Sequence, residues 1–216
     1  MATKTATDEL ELLDVGGPGG FGPEGFGHPG GGGGGAVPQR IYVTGIWLAL
    51  ASILMFFTAL TSSFLVRKGL ANDWVPFALP RILWGNTAVL LLSSVSVERA
   101  RRRLGQRAVG EFRRWWGLTT ALGLVFLAGQ LVAWRQLAAA GVYLASNPSS
   151  SFFYLLTGAH GAHLLGGVLA LFYVGFRKSA AEGRLSQQTA VTVVSIYWHF
   201  LGGLWVYLFL LLHWGR

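Results

Sequence analysis

Three histidines sit where polar side chains are costly. His160 and His163 are three residues apart in the run SFFYLLTGAHGAHLLGGVLALFYVGF, and His199 follows Tyr197 and Trp198 in AVTVVSIYWHFLGGLWVYLFLLLHW. Imidazole binds haem iron and transition metals, and it exchanges protons near neutral pH. Residues three apart share a helix face, so one helix could present both His160 and His163. A haem needs axial ligands facing each other across a bundle, and a transition metal needs about three or four donors. His160, His163 and His199 are an incomplete set for either. The sequence has no cysteine, which excludes iron–sulfur clusters, thiolate zinc sites and cysteine nucleophiles. The apolar segments carrying these histidines hold no Asp, Glu, Lys or Arg to complete a metal site or move an ion. No Ser/His/Asp or paired-carboxylate pattern suggests soluble-type catalysis. Two readings remain. The histidines serve helix or lipid contacts, which is the reading adopted; or the chain is a small membrane cytochrome with intramembrane His ligands.

The elements that must position these side chains are membrane helices. Of the 216 residues, 52% are apolar and 12% charged, against about 25% charged in a soluble domain. Mean hydropathy is +0.49. Five apolar segments follow in order, and backbone in lipid must satisfy its own hydrogen bonds, so each is expected to be a helix. The expected bounds are about 41–66, 80–98, 115–135, 151–176 and 190–214. The fold class is an all-α membrane protein with five transmembrane helices. The second segment is short and is expected to borrow from VPFALP before it, with Arg81 snorkelling to the interface. Trp115 and Trp134 bracket the third and are expected in the interfacial belt. In the fourth, Gly158, Ala162 and Gly166 form a small-xxx-small ridge suited to close helix packing. Asn86, Ser93, Ser94, Thr119, Thr120 and Gln130 are neutral polar residues expected to bind helices together.

Charge placement predicts orientation. ERARRRLGQRAVGEFRR, between the second and third segments, holds seven Arg and reads as a loop. Arg177, Lys178, Arg184, Lys4 and Arg40 fall on the same side, giving twelve basic residues against five on the other. That predicts a cytoplasmic N-terminus and an external C-terminus. The net charge of +8 is then a topology signal, and no nucleic-acid partner is expected. Residues 1–40 include a stretch in which 13 of 20 residues are Gly, so a disordered arm is expected there, without a signal peptide.

Residues 41–214 resemble subunit III of the haem-copper oxidases, in its five-helix bacterial form. Trp47 to Phe57 reads WLALASILMFF, similar to that family's opening helix. Asn86-Thr87 with Leu90 to Ser94 is similar to N-T-x-x-L-L-x-S-S. Phe126-Leu127, Gln130 and Trp134 are similar to F-L-x-x-Q-x-x-E-W. Phe153-Tyr154, Thr157-Gly158, His160-Gly161, His163 and Gly167 resemble F-F-x-x-T-G-x-H-G-x-H-x-x-x-G. Tyr197 to Phe200 with Trp205 resembles Y-W-H-F-x-x-x-x-W. The family's acidic positions are Ile53, Ala133 and Gly202 in this sequence, so its role in proton uptake is not carried over.

The resemblance implies a chain that is not an enzyme on its own. It implies an accessory subunit of a cytochrome c oxidase that packs on subunit I and stabilises the oxygen-reducing, proton-pumping complex. Haem and copper are then expected in partner subunits I and II, with no cofactor or metal in this chain but bound phospholipid. His160, His163, Trp198 and His199 are the implied lipid or helix-interface residues; Asn86, Gln130, Gly158, Ala162 and Gly166 are the packing set. The implied location is the bacterial cytoplasmic membrane, with room for a larger respiratory supercomplex.

Overall fold

A computed structural model describes residues 39–70, 79–144, 146–176 and 186–214. The Gly-rich arm expected over 1–40 lies outside them except for Gln39 and Arg40, as do Lys4, Arg177, Lys178, Arg184 and Arg216. The described residues form five α-helices: α1 Gln39–Leu70, α2 Ile82–Gly105, α3 Val109–Ala139, α4 Pro148–Phe176 and α5 Gln187–Trp214. Helices α2, α3, α4 and α5 make a closed ring in which each touches the next and α5 returns to α2. Helix α1 lies outside the ring against α4 and α5. It buries one stripe, Leu50, Phe57, Thr61 and Phe64, at spacings of seven, four and three.

Among the described residues, four helices are long and apolar enough to cross a membrane: Arg40–Leu70, Val109–Ala139, Pro148–Phe176 and Gln187–Trp214. Helix α2 is apolar from Ile82 to Val97, then runs on through the arginines to Gly105. Its extension is therefore opposite to the one read from VPFALP: Leu79 and Pro80 precede the helix, and residues 75–78 lie outside the described part. The reason is local. Arg is a good helix former, and Glu98 pairs with Arg101 and Arg102 one turn on, at 3.0 and 2.9 Å.

The arginine-rich stretch is thus a helical hairpin rather than a loop. Only residues 106–108 separate α2 from α3. The turn closes with the Ala108 amide donating to the Arg103 carbonyl at 3.1 Å. Arg107 takes a left-handed φ of 59° there, the conformation that commonly ends a helix on Gly. Arg103 and Glu111 pair across the turn at 2.9 Å.

Candidate functional site

Four tryptophans lock the ring. Burying an indole leaves its N–H in need of a partner, and in this chain each partner is on another helix. Trp116 of α3 donates to the Leu171 carbonyl of α4 at 2.9 Å, and Trp134 donates to Thr157 Oγ1 at 3.1 Å. Trp198 of α5 donates to Ser93 Oγ of α2 at 2.9 Å, and Trp205 donates to Thr87 Oγ1 at 3.0 Å. Glycines make room for two of these rings. A Cβ at Gly123 would lie 2.7 Å from Trp198, one at Gly167 would lie 3.3 Å from it, and one at Gly175 would lie 3.2 Å from Trp116. Trp198 is fully buried and touches three neighbouring helices through Ser93, Gly123 and Gly167.

Trp134, expected in the interfacial belt, is partly buried and hydrogen-bonded to Thr157. This lattice revises one expectation. Close helix approach in α4 occurs at Gly167, not along Gly158, Ala162 and Gly166. Ala162 and Gly166 are exposed. A Cβ at Gly158 would meet Trp134 only at 3.8 Å, and one at Gly166 would reach Tyr197 only at 4.0 Å. Sequence reading passed over Gly123, Gly167 and Gly175 as partners of the indoles. Their signal was a small residue on the helix facing each buried Trp.

His160 and His163 diverge toward different neighbours. His160 is fully buried, its ring 5.1 Å from Trp205 and 6.1 Å from Phe126, on α5 and α3. Neither of its ring nitrogens has a hydrogen-bond partner among the described residues. His163 turns to α1, 5.6 Å from Phe57, with Nδ1 2.8 Å from its own helix carbonyl at Ala159. Its backbone carbonyl accepts from Tyr197 Oη at 3.0 Å. His199 precedes Trp205 by six residues, about 9 Å along the axis, and faces Glu98 of α2 at 3.9 Å. The three imidazoles point to three different places, and no two face each other as axial haem ligands would. Among the described residues no group of three or more His, Asp or Glu could hold a metal ion.

The polar residues divide. Ser93 accepts the Trp198 N–H, whereas Thr119 and Thr120 donate back into α3 itself, to the carbonyls of Trp115 and Trp116. Asn86 packs against Gly129, where a Cβ would lie 2.9 Å from its Cγ. Asn86 Nδ2 and both polar atoms of Gln130 are buried without a hydrogen-bond partner among the described residues. Ala133, at the acidic position of the family pattern, is fully buried in the apolar core. Beyond the apolar part of α2, hydrogen bonding from Arg101, joined by Arg102, holds the Glu98 carboxyl below its ordinary range.

Such an arrangement defines a multi-pass helical membrane protein whose aromatic and imidazole groups are used on one another. The chain belongs to the cytochrome c oxidase subunit III family, whose model matches residues 36–216. It is a non-catalytic subunit of that oxidase. Relatives include the probable cytochrome c oxidase subunit 3 of Nocardia farcinica, 32% identical over 85% of this chain and 96% of the relative. The cytochrome c oxidase subunit 3 of Corynebacterium diphtheriae is 33% identical over 82% of this chain and 94% of its own. That of Thermostichus vulcanus is 32% identical over 79% and 86%.

Proposed function

We propose that this chain packs on subunit I of a bacterial haem-copper oxidase, holds phospholipid against the complex and stabilises it during turnover. Subunits I and II are its partners and carry the haem and copper. Its N-terminus is cytoplasmic and its C-terminus periplasmic, in keeping with seven Arg between the second and third apolar segments. His160, His163, Trp198, His199, Asn86 and Gln130 serve helix or lipid contacts. Ala162 and Gly166, exposed on α4, serve packing against a partner, and Gly158 serves packing beside Trp134 of α3. The observation that carries the reading is the match of residues 36–216 to a single family of oxidase subunits.

The test is deletion and restoration of this chain in its native membranes. Oxidase lacking it is expected to keep its haem bands and initial oxygen consumption. Its activity is expected to decay faster during turnover, and the restored chain to reverse that decay. Unchanged decay would remove the stabilising role, and loss of haem bands from an assembled subunit I would point to a cofactor in this chain.

A further inference from the structure

His163 carries a hydrogen-bonding atom that its own chain leaves unused. Its Nδ1 lies 2.8 Å from the Ala159 carbonyl, one turn back along α4. A carbonyl only accepts, so Nδ1 holds the ring hydrogen. An uncharged imidazole has one N–H and one bare nitrogen, and the bare one is then Nε2, an acceptor. Nε2 has no hydrogen-bond partner among the described residues. Unlike the nitrogens of His160, it is not shut inside the bundle. The ring stands beside α1, 5.6 Å from Phe57 and 6.3 Å from Phe56, and neither phenyl ring has an O–H or N–H to give.

Depth decides what can meet this acceptor. Helix α4 is 29 residues long from Pro148 to Phe176, so its middle falls at residue 162, next to His163. The hydrocarbon layer is about 30 Å thick, which puts headgroups and water roughly 15 Å from that level. Acyl chains have no O–H or N–H. A polar atom left unpaired in hydrocarbon is costly. The complementary donor therefore comes from another protein helix.

The surface beside the ring has room for one. Leu155, Ala159, Ala162, Gly166 and Leu169 follow at spacings of four, three, four and three, so they share one face of α4. Leu155 and Leu169 are exposed, and the three small residues between them leave a shallow notch. A Cβ at Gly166 would meet nothing of this chain closer than Tyr197 Oη at 4.0 Å. Small residues let two helix backbones approach closely. His163 borders the notch, next to Ala162 and one turn before Gly166.

We propose that a transmembrane helix of a partner subunit lies in this notch and donates an uncharged O–H or N–H to His163 Nε2. This deepens the packing of Ala162 and Gly166 on a partner and rests on that reading. A Ser, Thr, Asn, Gln, Tyr or Trp side chain supplies such a donor. Lys or Arg would bring a charge to the middle of the membrane, where it is most costly. The small residues set how close the partner comes, and the imidazole sets its register.

Cryo-electron microscopy of the intact oxidase complex with the wild-type chain tests the contact directly. The expected result is a partner helix along Ala159 to Gly166, with a donor atom within about 3.2 Å of His163 Nε2. Acyl-chain density in the notch, or a partner helix that offers no donor there, would overturn the proposal. Two variants give an independent reading: His163→Leu removes the acceptor, and His163→Gln keeps one. Dissociation of the chain from the complex in mild detergent is measured for both. Leu is expected to weaken association about three- to twentyfold, the range for one hydrogen bond between membrane helices. Gln is expected to recover part of that loss. Equal association of wild type and Leu, or equal losses with Leu and Gln, would overturn the hydrogen bond. A wild-type chain that does not assemble with subunit I would remove the proposed function and this contact with it. An assembled complex with hydrocarbon against His163 would remove this contact alone.

Discussion

The indole nitrogen of Trp198 and the hydroxyl of Ser93 lie 2.9 Å apart across α5 and α2, joining residues 105 positions apart in the chain. The ring that carries this N–H fills space left by Gly123 on α3 and Gly167 on α4. One side chain thus ties together all four helices of the ring. Between membrane helices, association depends on such packing and on hydrogen bonds, because lipid is as apolar as the helices themselves.

Trp198→Phe keeps most of the ring and removes the donor. It is expected to lower stability by about 0.6 to 2 kcal/mol. Trp198→Ala empties the site and is expected to cost about 3 to 5 kcal/mol. Thermal unfolding of the assembled complex, followed by loss of this chain from it, measures both. Equal effects of Phe and Ala would place the whole contribution in the hydrogen bond, contrary to the packing seen around the ring.

Gly167→Leu and Gly166→Leu separate two kinds of packing. At Gly167 a Cβ already presses on Tyr197 and Trp198 at 3.2 and 3.3 Å, so Leu is expected to cost about 1 to 3 kcal/mol or more within the chain. Gly166 is exposed within the chain, so Leu there is expected to leave this chain folded and to weaken only its association with partner subunits. Unfolding of the chain alone and yield of the complex, measured in parallel, distinguish them. Matching losses for the two variants in the chain alone would contradict the assignment.

His160→Leu removes two ring nitrogens that have no partner among the described residues. Replacing a buried polar group that lacks hydrogen bonds costs little, while lost ring contacts with Trp205 and Phe126 cost about 0.5 to 1.5 kcal/mol. The expected outcome is a small stability change and an unaltered reduced-minus-oxidised spectrum. A haem band that disappears with this substitution would revive the membrane-cytochrome reading.

Arg107→Gly tests the hairpin between α2 and α3. Arg107 holds a left-handed φ of 59° that Gly adopts without a Cβ penalty. The substitution is expected to stabilise the chain by about 0.5 to 1 kcal/mol, read as a higher unfolding temperature. A drop in that temperature would show that the guanidinium contributes more than the turn conformation costs.

The five helices were legible in the sequence because charge-free apolar runs have few other stable states in lipid. Their ends were less so. Hydropathy stops at Val97 and resumes at Trp115, but helix propensity and the Glu98–Arg101–Arg102 pairs carry α2 on to Gly105. The histidines were legible as polar residues in an apolar setting, not in their directions. A spacing of three puts His160 and His163 on nearby faces, yet only the arrangement of neighbours sends one toward Trp205 and the other toward Phe57. Within the chain the close approach falls at Gly167 instead of along the small-residue ridge, because several glycines lie together in α4. Which of them meets a neighbour depends on helix rotation, and rotation is set by the bulky indoles of the other helices.

The most direct measurement is a mild-detergent pull-down of the tagged chain from its native membranes, read by mass spectrometry, oxygen consumption and a reduced-minus-oxidised spectrum. Subunits I and II are expected in the eluate, with haem bands that follow subunit I and disappear when it is stripped away. A chain that elutes without them, or that keeps a haem band of its own after subunit I is removed, would contradict its place as a non-catalytic oxidase subunit.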